Sequence, residues 1–290
     1  MSRSAEAAAF LSAPVSFQPV RNAEIAYRKF GSGKPLLLVH GWPLSGFTWR
    51  KLIPLLAQRF TCYAVDLPGA GETRWTAKTD FNFKGQAENL AAFVEGLGLS
   101  SCAVLAHDTG ATISRQLALI APERVERLVA LGTEIPNHRP PWIPLYQKLT
   151  ALPGAHLSFQ LLMRSRAFLR SGMGFGGCFE DPRLLEGEFH EQFIQPLIDS
   201  GQRMQGQIRY LRGIDWALVD SLAERHAQIR CPVLLLWGEQ DPVFPVERAR
   251  QLVPQLPTCK GFELIPHARL FAHEEQPEPV ARRTLEFLSA

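Results

Sequence analysis

From residue 35 onward, short apolar runs alternate with helical patterns, and that alternation leaves few folds open to the chain. Strands are expected at 35–39, 61–65, 102–106, 125–132, 233–237 and 261–265, and helices at 47–57, 83–97, 109–121, 246–256 and 276–288. In the first of these helices Trp49, Leu52, Ile53 and Leu56 recur at core spacing. Unbroken apolar strands parted by helices signify a mostly parallel sheet covered on both faces. Ahead of this region, 15–20 and 23–30 read as an antiparallel hairpin. Between 134 and about 215 no strand is expected. Pro136, Pro140, Pro141 and Pro144 give way to helical stretches at 157–169 and 184–212, parted by a Gly-rich turn at 172–177. The expected architecture is therefore α/β, a mostly parallel eight-stranded sheet flanked by helices. Its core is 1–134 and 216–290, and a helical cap, or lid, at 135–215 is inserted after the sixth strand.

At 290 residues with 46% hydrophobic and 20% charged side chains, the chain is long enough to bury one large core. Its net charge of +3 is mild, and Lys and Arg are scattered, so neither nucleic acid nor a membrane is an expected partner. Cys62, Cys102, Cys178, Cys231 and Cys259 show no metal-like or redox spacing and are expected as buried, reduced thiols. The first 14 residues lack the apolar core of a signal peptide, and no run approaches a transmembrane length, so a cytoplasmic protein is expected.

The chemistry-bearing segment is Ala106-His107-Asp108-Thr109-Gly110, between an apolar strand and a helical pattern. Small-x-nucleophile-x-small spacing suits a tight strand-to-helix turn that exposes its central residue. Asp108 stands where a serine is usual. An ionised carboxylate displaces a leaving group from an sp3 carbon without a base to deprotonate it, giving an ester. That favours epoxides and alkyl halides over ordinary esters. No serine occupies such a turn, so a serine esterase built on Ser114 is disfavoured.

With His40-Gly41-Trp42-Pro43 after the first parallel strand and Trp237-Gly238-Glu239-Gln240-Asp241-Pro242 after a later one, the chain resembles the α/β-hydrolase superfamily, in its epoxide hydrolase and haloalkane dehalogenase branch. The resemblance covers nearly the whole chain. It implies that the backbone N–H groups of Trp42 and Thr109 form an oxyanion hole, and that the Trp42–Pro43 peptide is a candidate for the cis form. It implies Asp241 as the acid that orients a histidine, with Glu134 as a competing position. His107 is expected to pack or to position backbone. Epoxide hydrolases of this kind use two lid tyrosines, which leaves Tyr146 and Tyr210 as candidates beside a packing role for each. For a dehalogenase, Trp142 is a candidate leaving-group or pocket residue, while Thr109 and Thr112 occupy positions where fluoroacetate-type enzymes carry arginines.

The pattern is departed from at the catalytic histidine. Aligning Phe271 and Glu274-Glu275-Gln276-Pro277 with the family's histidine loop puts Leu270 at the histidine position. Three readings stay open: His267 reaches the site, His273 does, or the base is missing and the ester on Asp108 is trapped or released slowly. The leading expectation is hydrolysis of a small hydrophobic epoxide by a monomer or homodimer; the others are a dehalogenase and a protein that binds or captures its ligand without turnover. No metal or organic cofactor is implied.

Overall fold

A computed structural model describes residues 4–290, in which nine strands build one sheet. They are β1 (Ser16–Val20), β2 (Ala23–Phe30), β3 (Lys34–Val39), β4 (Phe60–Val65), β5 (Arg74–Trp75), β6 (Cys102–His107), β7 (Val125–Leu131), β8 (Val233–Gly238) and β9 (Cys259–Ile265). The order is β1-β2-β4-β3-β6-β7-β8-β9, with β1, β2 and the two-residue β5 antiparallel and the six strands from β4 to β9 in that order parallel. Every residue of β4, β6 and β8 is buried, as strands covered on both faces must be.

The expected eight strands become nine because Arg74–Trp75 pairs with Ala23 and Glu24 at the edge. Two residues carry no periodicity. The expected helix 47–57 is broken into a 3₁₀ turn, Gly46–Trp49, and a short helix, Ile53–Leu56, because Pro54 supplies no backbone N–H. Helix 246–256 likewise splits into Val246–Ala249 and Leu252–Gln255. Helix Ala5–Ser12, capped by the Ser4 hydroxyl, was not anticipated. Among the thiols, all free, Cys259 is only half-buried at the start of β9, against the expectation for all five.

Between β7 and β8 the chain is helical, as expected, and its main helices are Trp142–Leu149, Ala155–Met163, Gly201–Arg212 and Trp216–Arg225. Expected helix 157–169 divides at Arg164 and Ser165, where the Ser165 hydroxyl caps a new helix, Arg166–Arg170. Expected helix 184–212 is resolved into a π-helical turn, His190–Ile194, and two helices, Gln195–Asp199 and Gly201–Arg212, with Ser200 capping the second. Among the described residues no helix is long and apolar enough to cross a membrane.

Arg50 ties this insertion to the sheet. Its guanidinium, 3% exposed, donates to Glu274 Oε1 at 2.7 Å and to Glu188 Oε2, in the insertion, at 3.0 Å. Burial pushes the Glu274 carboxyl up, but the Arg50 and Lys51 cations outweigh it and hold the group below its ordinary 4.5. Stability from such a depressed carboxyl is complete above its unfolded pKa and is lost as pH falls through the folded one. Glu274→Gln is therefore expected to cost about 3 kcal/mol in urea unfolding at pH 7, and much less at about pH 3. An equal loss at both values would show that the pair contributes no charge-dependent stability.

Candidate active site

Asp108 follows β6 directly and precedes helix Thr109–Ile120, with φ 53° and ψ −132°. A non-glycine residue at positive φ is strained, and the surroundings must hold it there. The Asp108 N–H donates to the carbonyls of Leu131 and Gly132 at 3.1 and 2.8 Å, and the Thr133 hydroxyl donates to the Asp108 carbonyl at 3.0 Å. The small residues are needed for approach. A Cβ on Gly110 would lie 2.3 Å from the His40 carbonyl oxygen, and one on Gly41 would lie 2.5 Å from Asp108 Oδ2.

The Asp108 carboxyl opens on a cavity of about 70 Å³ lined by Trp42, Thr109, Glu134, Trp142, Tyr146 and Leu270 among others. Burial and the nearby Glu134 charge raise its pKa well above the usual carboxylate range, Asp241 adds to this, and the Thr109 and Trp42 backbone N–H groups oppose it. Asp108 shares this cavity with a second carboxyl, Glu134.

Thr109 has a role its sequence position did not disclose. Its Oγ1 accepts the Trp42 backbone N–H at 2.9 Å and lies 2.9 Å from the Tyr210 hydroxyl. One expected oxyanion donor is thus held by the side chain beside the other. The Trp42–Pro43 peptide is cis. Tyr210 is fully buried and absent from the cavity lining, whereas Tyr146 lines it but donates its hydroxyl to the Met173 carbonyl at 2.6 Å. Tyr146 thus has its hydroxyl engaged and Tyr210 lies outside the lining, the packed placement that stood beside the lid-donor role for each.

The histidine candidates fall away on geometry. His267 is 78% exposed and its Nδ1 lies 3.7 Å from Glu180 Oε1, outside the cavity lining. His273 is buried, its Nε2 2.7 Å from the Thr48 hydroxyl and its ring against Trp49 and His107; burial and the Lys51 and Arg50 charges lower it to about 3. His107 sits 3.0 Å from the Leu270 carbonyl through Nε2, the backbone-positioning role expected of it.

Leu270 occupies the place between the two acids' elements. Asp241 Oδ1 accepts the Val243 and Phe244 N–H groups at 2.8 and 3.0 Å, while Oδ2 is buried without a partner. A Cβ built on Gly132 would lie 3.5 Å from that Oδ2 and 3.6 Å from Leu270 Cδ1, so both lie close to Gly132. Glu134 lines the cavity itself. Its Oε2 accepts from Thr112 Oγ1 at 2.5 Å, and Arg115, fully buried, donates to Thr112 Oγ1, Thr133 Oγ1 and the Glu134 carbonyl at 2.7, 2.9 and 2.8 Å. Because a guanidinium only donates, His226 Nε2 accepts from Arg115 Nη1 at 3.0 Å, leaving Nδ1–H for Gln255. This network was missed; the sequence signal for it is Arg115 three residues after Thr112 on one helix.

Residues 34–277 match the family model described as alpha/beta hydrolase fold. The chain is an α/β hydrolase-fold protein. Among curated α/β hydrolase relatives, human epoxide hydrolase 4 is 25% identical over 279 residues, covering 88% of this chain and 73% of that one. The pimeloyl-[acyl-carrier protein] methyl ester esterase of Aeromonas hydrophila is 25% identical over 256 residues, covering 87% and 95%. The solved structure of the epoxide hydrolase CorEH superposes with a TM-score of 0.78 at 22% identity, covering 95% of this chain and 99% of that one. Similarity therefore fixes a hydrolase fold, and an ester hydrolase and an epoxide hydrolase stand equally near.

Burial raises Asp241 to about 7, opposed by the Phe244 and Val243 N–H groups. A carboxyl raised in the folded state holds its proton there, so its contribution falls as pH rises from its unfolded value, 3.8, through 7. Asp241→Asn retains an oxygen for both N–H groups and is expected to stabilise the protein at pH 8 by on the order of 1–4 kcal/mol, the gain vanishing toward pH 4. Denaturation midpoints of the two proteins across that range test this; a destabilised variant at pH 8 would mean that Asp241 has a cationic partner.

Proposed function

We propose that the protein is a hydrolase-fold enzyme whose Asp108 opens a small apolar epoxide and forms an alkyl ester that is released slowly. The observation carrying this reading is the pairing of a carboxylate at the strained turn with Leu270 beside the unpartnered Asp241 Oδ2. A carboxylate needs no histidine to attack carbon, whereas hydrolysis of the resulting ester needs a base for water.

The titratable groups lining the cavity are Asp108, Glu134, Tyr146 and Cys178. Burial raises the pKa of both carboxyls, and the charge of Glu134 raises that of Asp108 further. The reactive form is the one with Asp108 ionised and the proton on Glu134, against the pull of Thr112, Thr133 and Arg115 toward a charged Glu134: an Asp108 oxygen bonds one ring carbon, the carbon–oxygen bond of the epoxide breaks, and the ring oxygen takes the proton from Glu134. Glu134 stands in for the tyrosines that the Met173 carbonyl and Thr109 occupy. In the second step the Thr109 N–H stabilises the oxyanion at the ester carbon, and no imidazole is present to activate water.

An alkyl halide is the second substrate class, favoured by one feature. Trp142 lines the cavity and its indole N–H donates to no described residue, which suits a departing halide. The two classes give different masses. An epoxide adds its whole mass to the peptide containing Asp108, and a halide adds only its alkyl group.

Intact-protein and peptide mass spectrometry after incubation with epoxides and alkyl halides is expected to show a persistent adduct on Asp108 that Asp108→Ala abolishes and Glu134→Gln slows. Leu270→His, which puts an imidazole at the cavity wall, is expected to shorten the adduct's lifetime by about 10²-fold or more. Product formation that survives Asp108→Ala, or an adduct on another residue, would refute the reading.

A further inference from the structure

The helical pair 142–163 is apolar on both sides. Inward, Trp142, Ile143, Tyr146 and Met163 line the cavity. Outward, Leu145 and Leu149 repeat at i, i+4 on the first helix, and Leu157 and Leu161 repeat so on the second, 62% and 70% exposed; Leu152 between them is 60% exposed. A helix facing water ordinarily shows charge there, yet Ala155–Met163 contains no charged residue at all. Singly exposed leucines need no explanation; five within one helical pair do.

Charge identifies what covers them. Residues 135–179 contain Arg139, Lys148, Arg164, Arg166 and Arg170 and not one Asp or Glu, a run of 45 positions in a chain whose overall charge is nearly balanced. Arg139 pairs with Asp220 and Arg170 with Glu186. Among the described residues, Lys148, Arg164 and Arg166 make no ion pair, and all three are exposed. Lys148 adjoins Leu149 in sequence, and the two arginines follow directly on helix Ala155–Met163.

We propose that the outer face of this helical pair docks on an anionic lipid surface, the leucines entering the acyl boundary and Lys148, Arg164 and Arg166 meeting the headgroups. Leucines rimmed by unpaired cations are the pattern of an interfacial helix, which lies on a membrane and does not span it. The arrangement bears on substrate class independently of the chemistry at Asp108. The same two helices close the cavity and contact the bilayer, so the substrate is a lipophilic molecule taken from the membrane. A second copy of the chain is a poorer occupant, because self-pairing would bring like charges together.

Flotation of the full chain with vesicles of phosphatidylcholine alone, or with about 30% phosphatidylglycerol, tests this: binding is expected to be at least about tenfold stronger with the anionic lipid and to weaken with added salt. Leu157→Ser/Leu161→Ser is expected to reduce vesicle binding by about tenfold or more while leaving the unfolding transition in place. Lys148→Glu/Arg164→Glu gives the same loss for anionic vesicles only. Absence of flotation, or flotation unchanged by both double variants, overturns the proposal. So does a dimer in sedimentation that the serine variant dissociates while neither protein binds vesicles.

Discussion

The site depends on one strained residue. Asp108 at φ 53° costs on the order of 1–3 kcal/mol, and nothing in its own chemistry holds it there. The restraint comes from outside: two carbonyls at the end of β7 take its N–H, Thr133 takes its carbonyl, and the absence of side chains at Gly41 and Gly110 lets the β3 loop close over the turn. Parallel strands make this possible. Adjacent β3, β6 and β7 all end at the same edge of the sheet, so the loops after them converge on one point. The carboxyl, the Trp42 and Thr109 N–H groups and Glu134 come from those three loops.

Within that frame, a leucine at 270 bears on the proposed release of the ester and leaves the proposed attack by Asp108 untouched. Leu270 and the unpartnered Asp241 Oδ2 both lie near Gly132. Leucine gives that oxygen no donor, yet Asp241 keeps its position because the Val243 and Phe244 N–H groups hold the other oxygen. Leu270, 6% exposed, lines the cavity there. The result is a site with two acidic groups and no basic side chain lining it, whose electrostatics favour a retained proton over a mobile base.

Much of this was legible in the sequence because it rests on periodicity and on fixed spacing. The parallel strands are unbroken apolar runs, the elbow is a five-residue signature, and the insertion declares itself by missing strands. Side-chain direction was not legible. Tyr210 and Tyr146 lie in the insertion as expected, but nothing in one dimension tells that one turns to Thr109 and the other to Met173. His267 is only three residues from Leu270, yet it sits in a left-handed turn that aims it at Glu180. The Arg115 network joins β7 to the helix after Asp108, a contact set by packing between elements that local pattern does not encode.

The cavity's size links the insertion to the chemistry. At about 70 Å³ it is smaller than the roughly 300–1,000 Å³ of ordinary ligand pockets, so a substrate of more than a few heavy atoms enters only if the covering helices shift outward. Their polar attachments are few: Tyr146 to the Met173 carbonyl, Gln147 to the Leu211 and Ile214 carbonyls and the Trp216 indole, and Gln160 to the Leu197 and Ile198 carbonyls. In water such a shift would expose further aromatic surface beside leucines that are already wet. On the lipid surface proposed above, the same movement would expose nothing to water, so opening would be cheapest where the proposed lipophilic substrate is most concentrated.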